Sequence, residues 1–476
     1  MPGNILLIMA DQLRADWVGV NLPKANTPNI DRLASEGTVF SRAICNGPVC
    51  APSRASLAAG LYPFRFGTTS NRNSFPIDQP TVYQALRRGG YQVGLVGKMD
   101  LHKPDHYYGP DGATPLMSHW GFTHLCETEG KMNAGRARFE PSRGRGRTGG
   151  QAYDLDHDWD LAGPYQRYLQ QQGWLEPFVR DTEQRKEHLP VWHTEPAILP
   201  DHLHHDRFVG QRARAMLDQL DDSQPWFLCV SFVGPHDPWD APESLLTTYA
   251  NHVFSSPIMD EMRDKPAWVR NRQKRQSGSL PKGQIQEICR HYAANLTVID
   301  EEIGLLLSAL SSRKTCDQTT IVLTSDHGEM LGDHGLFQKA IMYEGALRVP
   351  LILKTPGRPG GSSTALAELV DLYPTFLDIA EVAYDPTRLD GRSLLPLLQG
   401  EVGAHKNWQV SHLERCRMIS DGRFKLIDHV NDAPELYDLA EDPEELQNIS
   451  GTLTEPLYRL QQAMRSIYRG VNVRPR

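Results

Sequence analysis

The feature that most constrains this chain is a set of short apolar runs separated by turns: Ile5 to Ala10, Val93 to Val96, Trp226 to Phe232, Ile321 to Thr324 and Val349 to Leu353. A strand that is apolar on both sides must be covered on both faces, which is the habit of a parallel sheet held between helical layers. Helical patterns lie between the runs. Thr27 can cap a helix that starts at Pro28 and stops at Gly37. A longer helix is written by Ile285, Ile288, Tyr292, Leu296, Ile299, Ile303, Leu306 and Leu310, whose steps of three and four fall on one face. The fold class is therefore α/β, a central and mostly parallel sheet between helices.

At 476 residues the chain exceeds one small module, and its 39% hydrophobic content supports a sizeable core. The alternation breaks from about 102 to 205, a stretch rich in Gly, Arg, His, Trp and Pro with a low-complexity piece from Gly135 to Gly150. We read it as a long insertion. After about 386 come short alternating segments, among them Arg423 to Ile427, and a last helix from Glu455 to Tyr468. The expected organisation is a large domain over 1–385 that carries the insertion, and a smaller α+β subdomain over 386–476.

Several function classes are excluded at this level. A net charge of −8 has the wrong sign for a chain held to nucleic acid by a global field. No apolar run approaches the ~20 residues needed to cross a bilayer. A secretory leader is not visible, so the expectation is a cytoplasmic protein, or a periplasmic or secreted one if a leader is removed. Seven cysteines without a CxxC pair read as mostly reduced thiols.

In open α/β sheets ligands bind where the strands stop. Ile5 to Ala10 runs into Asp11-Gln12, and Ile321 to Ser325 runs into Asp326-His327-Gly328-Glu329. Either aspartate alone reads as a helix cap. Together they suit a hard divalent cation, which needs anionic oxygen ligands. Val93 to Val96 adds Gly97-Lys98, and Trp226 to Phe232 adds Pro235-His236. A lysine and a histidine thus join the same edge. Cys50 stands just before a short helix opened by Pro52 and closed by Gly60, where free amides favour an anion or a thiolate. An inert buried thiol fits that spacing as well. His202, His204 and His205 resemble a metal cluster but read better as solvated residues or packing against the insertion.

Cys50-Ala51-Pro52-Ser53-Arg54 resembles the Cys-x-Pro-x-Arg signature of the sulfatase family of the alkaline phosphatase superfamily. The likeness continues through Asn4 to Asp11, Thr27 to Asp31, Gly97-Lys98, Pro235-His236, Ser325 to Glu329 and Leu436 to Leu439. The resemblance implies an alkaline phosphatase-like fold and conversion of Cys50 to formylglycine by a formylglycine-generating or other sulfatase-maturing enzyme. It implies a metal site of Asp11, Gln12, the converted Cys50, Asp326 and His327. Arg54 would support the charged nucleophile, Lys98 and Lys339 would clamp the sulfate, and His236 or Lys339 would protonate the leaving alcohol.

The chain departs from the family pattern in three places. Gln12 replaces a second aspartate and His327 an asparagine, which leaves one fewer carboxylate. Calcium is expected, with manganese as the alternative because imidazole suits transition metals better. Asp100 stands where many members carry a histidine, so the role of assisting sulfate release falls to His102, the nearest one, with Asp100 itself as the alternative. The expected reaction is hydrolysis of a sulfate ester, a carbohydrate sulfate because the insertion is rich in side chains that stack on sugars and pair with anions. A phosphonate monoester or phosphodiester hydrolase and an arylsulfatase are the alternatives, and homo-oligomerisation is left open.

Overall fold

The computed structural model describes residues 3–19, 24–105, 108–109, 111–134, 147–148, 151–152, 163–188, 192–278, 280–400, 405–452 and 454–469. Its main sheet is formed, in chain order, by Asn4–Asp11 (β1), Thr38–Phe40 (β2), Gln92–Gly97 (β3), His124–Glu127 (β4), Trp226–Pro235 (β5), Thr319–Ser325 (β6), Leu351–Lys354 (β7) and Gly361–Ser363 (β8). Across the sheet they stand in the order β8-β2-β7-β6-β1-β5-β3-β4. The strands from β6 to β4 are mutually parallel, with Ile5 opposite both Phe227 and Thr320.

The apolar runs build this sheet because both of its faces are covered. In β1, Ile5, Leu7 and Met9 enter one hydrophobic core, while Leu6, Ile8 and Ala10 enter the other. Burial of each large side chain contributes about 1.5–3 kcal/mol. The covering helices are, in chain order, Pro28–Glu36 (α1), Cys50–Ala59 (α2), Val82–Arg88 (α3), His205–Gln219 (α4), Ala267–Ser277 (α5), Gln284–Ser311 (α6) and Leu372–Ile379 (α7). Residues of α1, α4 and α6 join the core on one side of β1, and residues of α2, α3 and α7 the core on the other. The long apolar stripe accounts for α6, with Ile288, Tyr292, Leu296, Ile299, Ile303, Leu306 and Leu310 all buried.

One run departs from the parallel expectation. Leu351–Lys354 pairs antiparallel with β6. A parallel return needs a long crossover that carries the chain back to the far end of the sheet. Residues 326–350 contain no long helix and stay at the edge where β6 ends, so the chain re-enters the sheet from the same side.

The low-complexity piece of the insertion lies mainly outside the described residues. The part described adds helices Pro164–Gln171 and Leu175–His188. Tyr165 and Leu169 pack with Leu203 and Phe208 in a small separate core. His204 and His205 are buried, and the His205 ring stacks on Tyr165 at 3.7 Å. They belong to that packing and lie outside the metal-type cluster described below.

Beyond the sheet, Gln409–His412 (β9), Cys416–Ser420 (β10), Phe424–His429 (β11) and Glu435–Asp438 (β12) form an antiparallel sheet followed by helix Thr454–Ile467 (α8). Val410, Ile419, Leu426 and Leu436 pack under Leu460 and Met464 of α8. Met418, Ile427 and Tyr437 instead enter the main core, so the small sheet is fastened to the large one by shared apolar surface. Among the described residues no helix is long and apolar enough to cross a membrane.

Candidate active site

Two neighbouring strand ends make the floor of the site. β1 and β6 are in register with Ala10 opposite Ser325, which sets Asp11 beside Asp326. Both side chains are essentially buried, at 1% and 0% exposure. Gln12 takes a positive φ of 70°, a conformation rare for a residue with a side chain. That turn lets its backbone N–H donate to Asp326 Oδ1 at 3.0 Å. Asp326 Oδ1 also accepts from the His327 N–H at 2.9 Å, and Oδ2 accepts from Arg54 Nε at 2.8 Å.

Cys50 is the first residue of α2, a helix in which every residue is buried. Val49 before it is extended, and Gly60 ends the helix with φ +68°. Tyr373 and Leu389 crowd that glycine, so a side chain there would collide as well as strain the backbone. Cys50 Sγ lies 3.4 Å from His327 Nε2, 3.9 Å from Asp11 Oδ1 and 3.4 Å from Lys98 Nζ.

Ligand-type atoms of Asp11, Cys50, Asp326 and His327 lie within 4.8 Å of one another, all buried. His327 Nδ1 is 2.9 Å from the Gly328 carbonyl. A proton on Nδ1 serves that bond and leaves the Nε2 lone pair facing the cluster, the arrangement that orients a ligating histidine. Arg54 Nη2 is buried with no hydrogen-bond partner among the described residues. A buried guanidinium nitrogen left open costs free energy unless an oxygen completes it. Both observations fit a divalent cation and an oxygen nucleophile at this point. Gln12 is engaged differently: its amide nitrogen donates to Glu329 Oε2 at 2.6 Å and Asp237 Oδ1 at 3.2 Å, while its oxygen accepts from Lys339 Nζ.

Lys98, at the end of β3, reaches Asp11 Oδ2 and lies 3.1 Å from Asp100 Oδ2. Asp100 has a positive φ of 62°. Its carboxylate also pairs with Lys103, and its Oδ1 is buried with no partner among the described residues. His102 follows two residues after Asp100 and is buried. Its Nε2 lies 2.7 Å from Glu127 Oε2, and its ring faces Tyr108 and Trp120. On the opposite wall, His236 Nδ1 is 2.6 Å from the Asp237 carbonyl, and its Nε2 meets Lys339 Nζ.

The charges act together. Burial pushes the Cys50 thiol up, but Lys103, Lys339, Lys98 and His327 outweigh it and hold the group well below the ordinary thiol range. Burial works against the charge of Lys98, yet Asp100, Asp11 and Cys50 raise its affinity for a proton well above that of a free lysine. The arrangement is a positively charged socket over a carboxylate floor, suited to an anionic group. Lys103 was missed by sequence reasoning, because nothing in its spacing shows that it folds back on Asp100. Asp237 and Glu329 carried a signal, since they sit inside the Pro235-His236 and Ser325 to Glu329 motifs.

Comparison with known proteins bears on this geometry. The family model described as Sulfatase matches residues 3–382. The chain belongs to the sulfatase family. A second model, described as N-sulphoglucosamine sulphohydrolase, C-terminal, matches residues 332–467. Relatives include an arylsulfatase of Clostridium perfringens, 28% identical over 94% of this chain and 90% of that protein. An N-acetylglucosamine-6-O-sulfatase of Bacteroides thetaiotaomicron is 29% identical over 94% of this chain and 82% of that protein. Among solved structures, the phosphonate monoester hydrolase of Agrobacterium radiobacter superposes with a TM-score of 0.74 at 23% identity, covering 98% of this chain and 95% of that one. A protein solved with its substrate D-glucosamine-2-N,6-O-disulfate gives 0.73 at 22% identity, covering 99% of each chain. This sulfatase is a sulfuric ester hydrolase with an alkaline phosphatase-like fold, and its family implies the metal that the buried donor cluster fits.

Proposed function

We propose that the enzyme removes sulfate from a sulfated carbohydrate by means of a formylglycine made from Cys50. The observation that carries this reading is the position of Cys50, at a helix start, against the metal-type donors and facing Lys98. The sugar preference is supported by the relative named as an N-acetylglucosamine-6-O-sulfatase and by the match to the N-sulphoglucosamine sulphohydrolase C-terminal model. Conversion of Cys50 requires a sulfatase-maturing enzyme as a partner.

The hydrated aldehyde supplies two hydroxyls, one to take the sulfuryl group from the departing alcohol and one whose deprotonation expels sulfate and restores the carbonyl. A divalent cation, Ca2+ first and Mn2+ as the alternative, would be held by Asp11, Asp326, His327 and the converted Cys50, with Gln12, whose oxygen accepts from Lys339, next to them, and would offset charge on the sulfuryl oxygens. Lys98 and Lys339 hold those oxygens. Arg54, anchored on Asp326, offers its open Nη2 to the nucleophile. His236, whose Nδ1 proton serves the Asp237 carbonyl and whose Nε2 accepts from Lys339 Nζ, forms with Lys339 the pair that supplies the proton to the leaving oxygen, the proton coming from the Lys339 ammonium.

Hydrolysis of phosphonate monoesters or phosphodiesters is the second reading, with which Asp11-Gln12 and Asp326-His327 are compatible, Gln12 leaving one carboxylate fewer on the floor. Comparing kcat/KM on 4-nitrophenyl sulfate and on 4-nitrophenyl phenylphosphonate separates the two. A phosphonate preference of several orders of magnitude would defeat the sulfatase reading.

A further inference from the structure

Beside the nucleophile, α5 and the loop carrying Lys339 line a pocket of about 390 Å³ that is open to solvent. Val49, the residue before Cys50, lines one side together with Asn71, whose side chain accepts from the Ala51 N–H at 3.0 Å. Lys339 lines another side, and its Nζ reaches His236 and Gln12. The pocket thus shares Lys339 with the active site and borders Val49, the neighbour of Cys50. Among the described residues its lining includes Arg272, Arg275 and Lys339 and no carboxylate.

In a chain with 58 acidic residues against 50 basic ones, a wall of cations without an acid is unusual. The two arginines differ in what they do. Arg272 donates to the carbonyls of Phe337, Lys339 and Ala340, so it fixes the loop that presents Lys339. Arg275 is exposed and makes no hydrogen bond or ion pair among the described residues. It stands three residues along the same helix, where like charges repel. Burial and that repulsion together depress the proton affinity of Arg272. An anion in the cavity would relieve the repulsion and give Arg275 the planar, two-pronged partner that guanidinium groups favour.

We propose that this cavity takes a second anionic group of the substrate, a carboxylate or a further sulfate, with Arg275 as the cation that pairs with it. This rests on the sulfatase reading and narrows the substrate to esters that carry two negative groups. Because Arg275 holds no other part of the protein, its substitution probes binding without disturbing the loop that Arg272 secures.

The test measures kcat/KM of wild type, Arg275→Gln and Arg275→Glu on phenyl sulfate and on its 2-, 3- and 4-carboxy derivatives. It also uses D-glucosamine 6-sulfate with and without a 2-N-sulfate. Taking the ratio of wild type to variant for each ester cancels differences between leaving groups. On singly charged esters Arg275→Gln should lose about twofold or less. On the doubly charged ester that fits best it should lose roughly tenfold, and Arg275→Glu more, with the difference shrinking at high salt. The carboxylate and disulfate arms show which anion is taken. Ratios equal for singly and doubly charged esters overturn the inference. Should wild type hydrolyse none of the sulfate esters, the sulfatase reading fails instead, and the same ratios are then taken on phenyl phosphonate monoesters with and without a carboxylate.

Discussion

The floor of the active site and the wall after β3 lie at the same edge of one sheet, yet they are determined in different ways. On the floor, the parallel register that puts Ala10 opposite Ser325 fixes Asp11 beside Asp326, and Arg54 locks the second carboxylate at 2.8 Å. On the wall, the backbone leaves the strand and turns through a left-handed Asp100, which brings that carboxylate onto Lys98 and Lys103 and sends His102 to Glu127. Chemistry on the floor follows from strand pairing. On the wall it follows from one backbone reversal and from ion pairs between distant segments.

The comparison can be broken most severely at the floor. Replacing Cys50 with alanine should reduce turnover by a factor on the order of 10⁴ or more, since the nucleophile has no substitute, while circular dichroism stays unchanged. Asp326→Asn comes next. It removes a charged oxygen from the donor cluster and the buried partner of Arg54, and breaking a buried pair of this kind costs about 3–5 kcal/mol. Metal content by elemental analysis and melting temperature should fall together. Retention of both would take Asp326 out of the site.

Smaller effects are expected at the wall. Lys103→Gln should lower kcat by roughly tenfold, because it removes one of the positive charges that act on the Cys50 position. His102→Ala should act on stability more than on kcat, since it leaves the buried Glu127 short of a partner at a cost of about 1–3 kcal/mol. A burst of alcohol followed by slow turnover in His102→Ala would return that histidine to the sulfate-release step.

These outcomes also bear on what the sequence could reveal. The apolar runs announced the sheet and both of its cores, and the residues following Ala10 and Thr324 announced the floor, because a strand buried on both faces leaves only its end free for chemistry. The antiparallel return of Leu351–Lys354 was hidden, since an apolar run reads the same in either direction. Lys103 was hidden too, because the φ of Asp100 has no signature in a residue that is not glycine. The engagement of the Gln12 side chain by Lys339, Glu329 and Asp237 depends on contacts more than 200 positions apart in the chain.

The smallest effect on turnover is expected just past the wall, at Glu129. Burial, opposed by the N–H groups of Gln166 and Tyr165, pushes its carboxyl from 4.5 up to about 7. The folded state therefore holds a proton that the unfolded chain has released. Its stabilising contribution is complete below about pH 4.5 and is lost as pH rises through about 7. Between pH 5 and pH 8 the wild type should lose melting temperature relative to Glu129→Gln, with kcat little changed. Parallel melting curves for the two would mean that this carboxyl is already ionised in the fold.

The central claim, that converted Cys50 is the group that attacks sulfur, is tested most directly by mass spectrometry of the peptide carrying Cys50 in preparations made with different amounts of maturing enzyme. The account predicts that sulfate release rises in proportion to the aldehyde fraction and vanishes with it. Full activity in a preparation whose Cys50 is entirely thiol would contradict it.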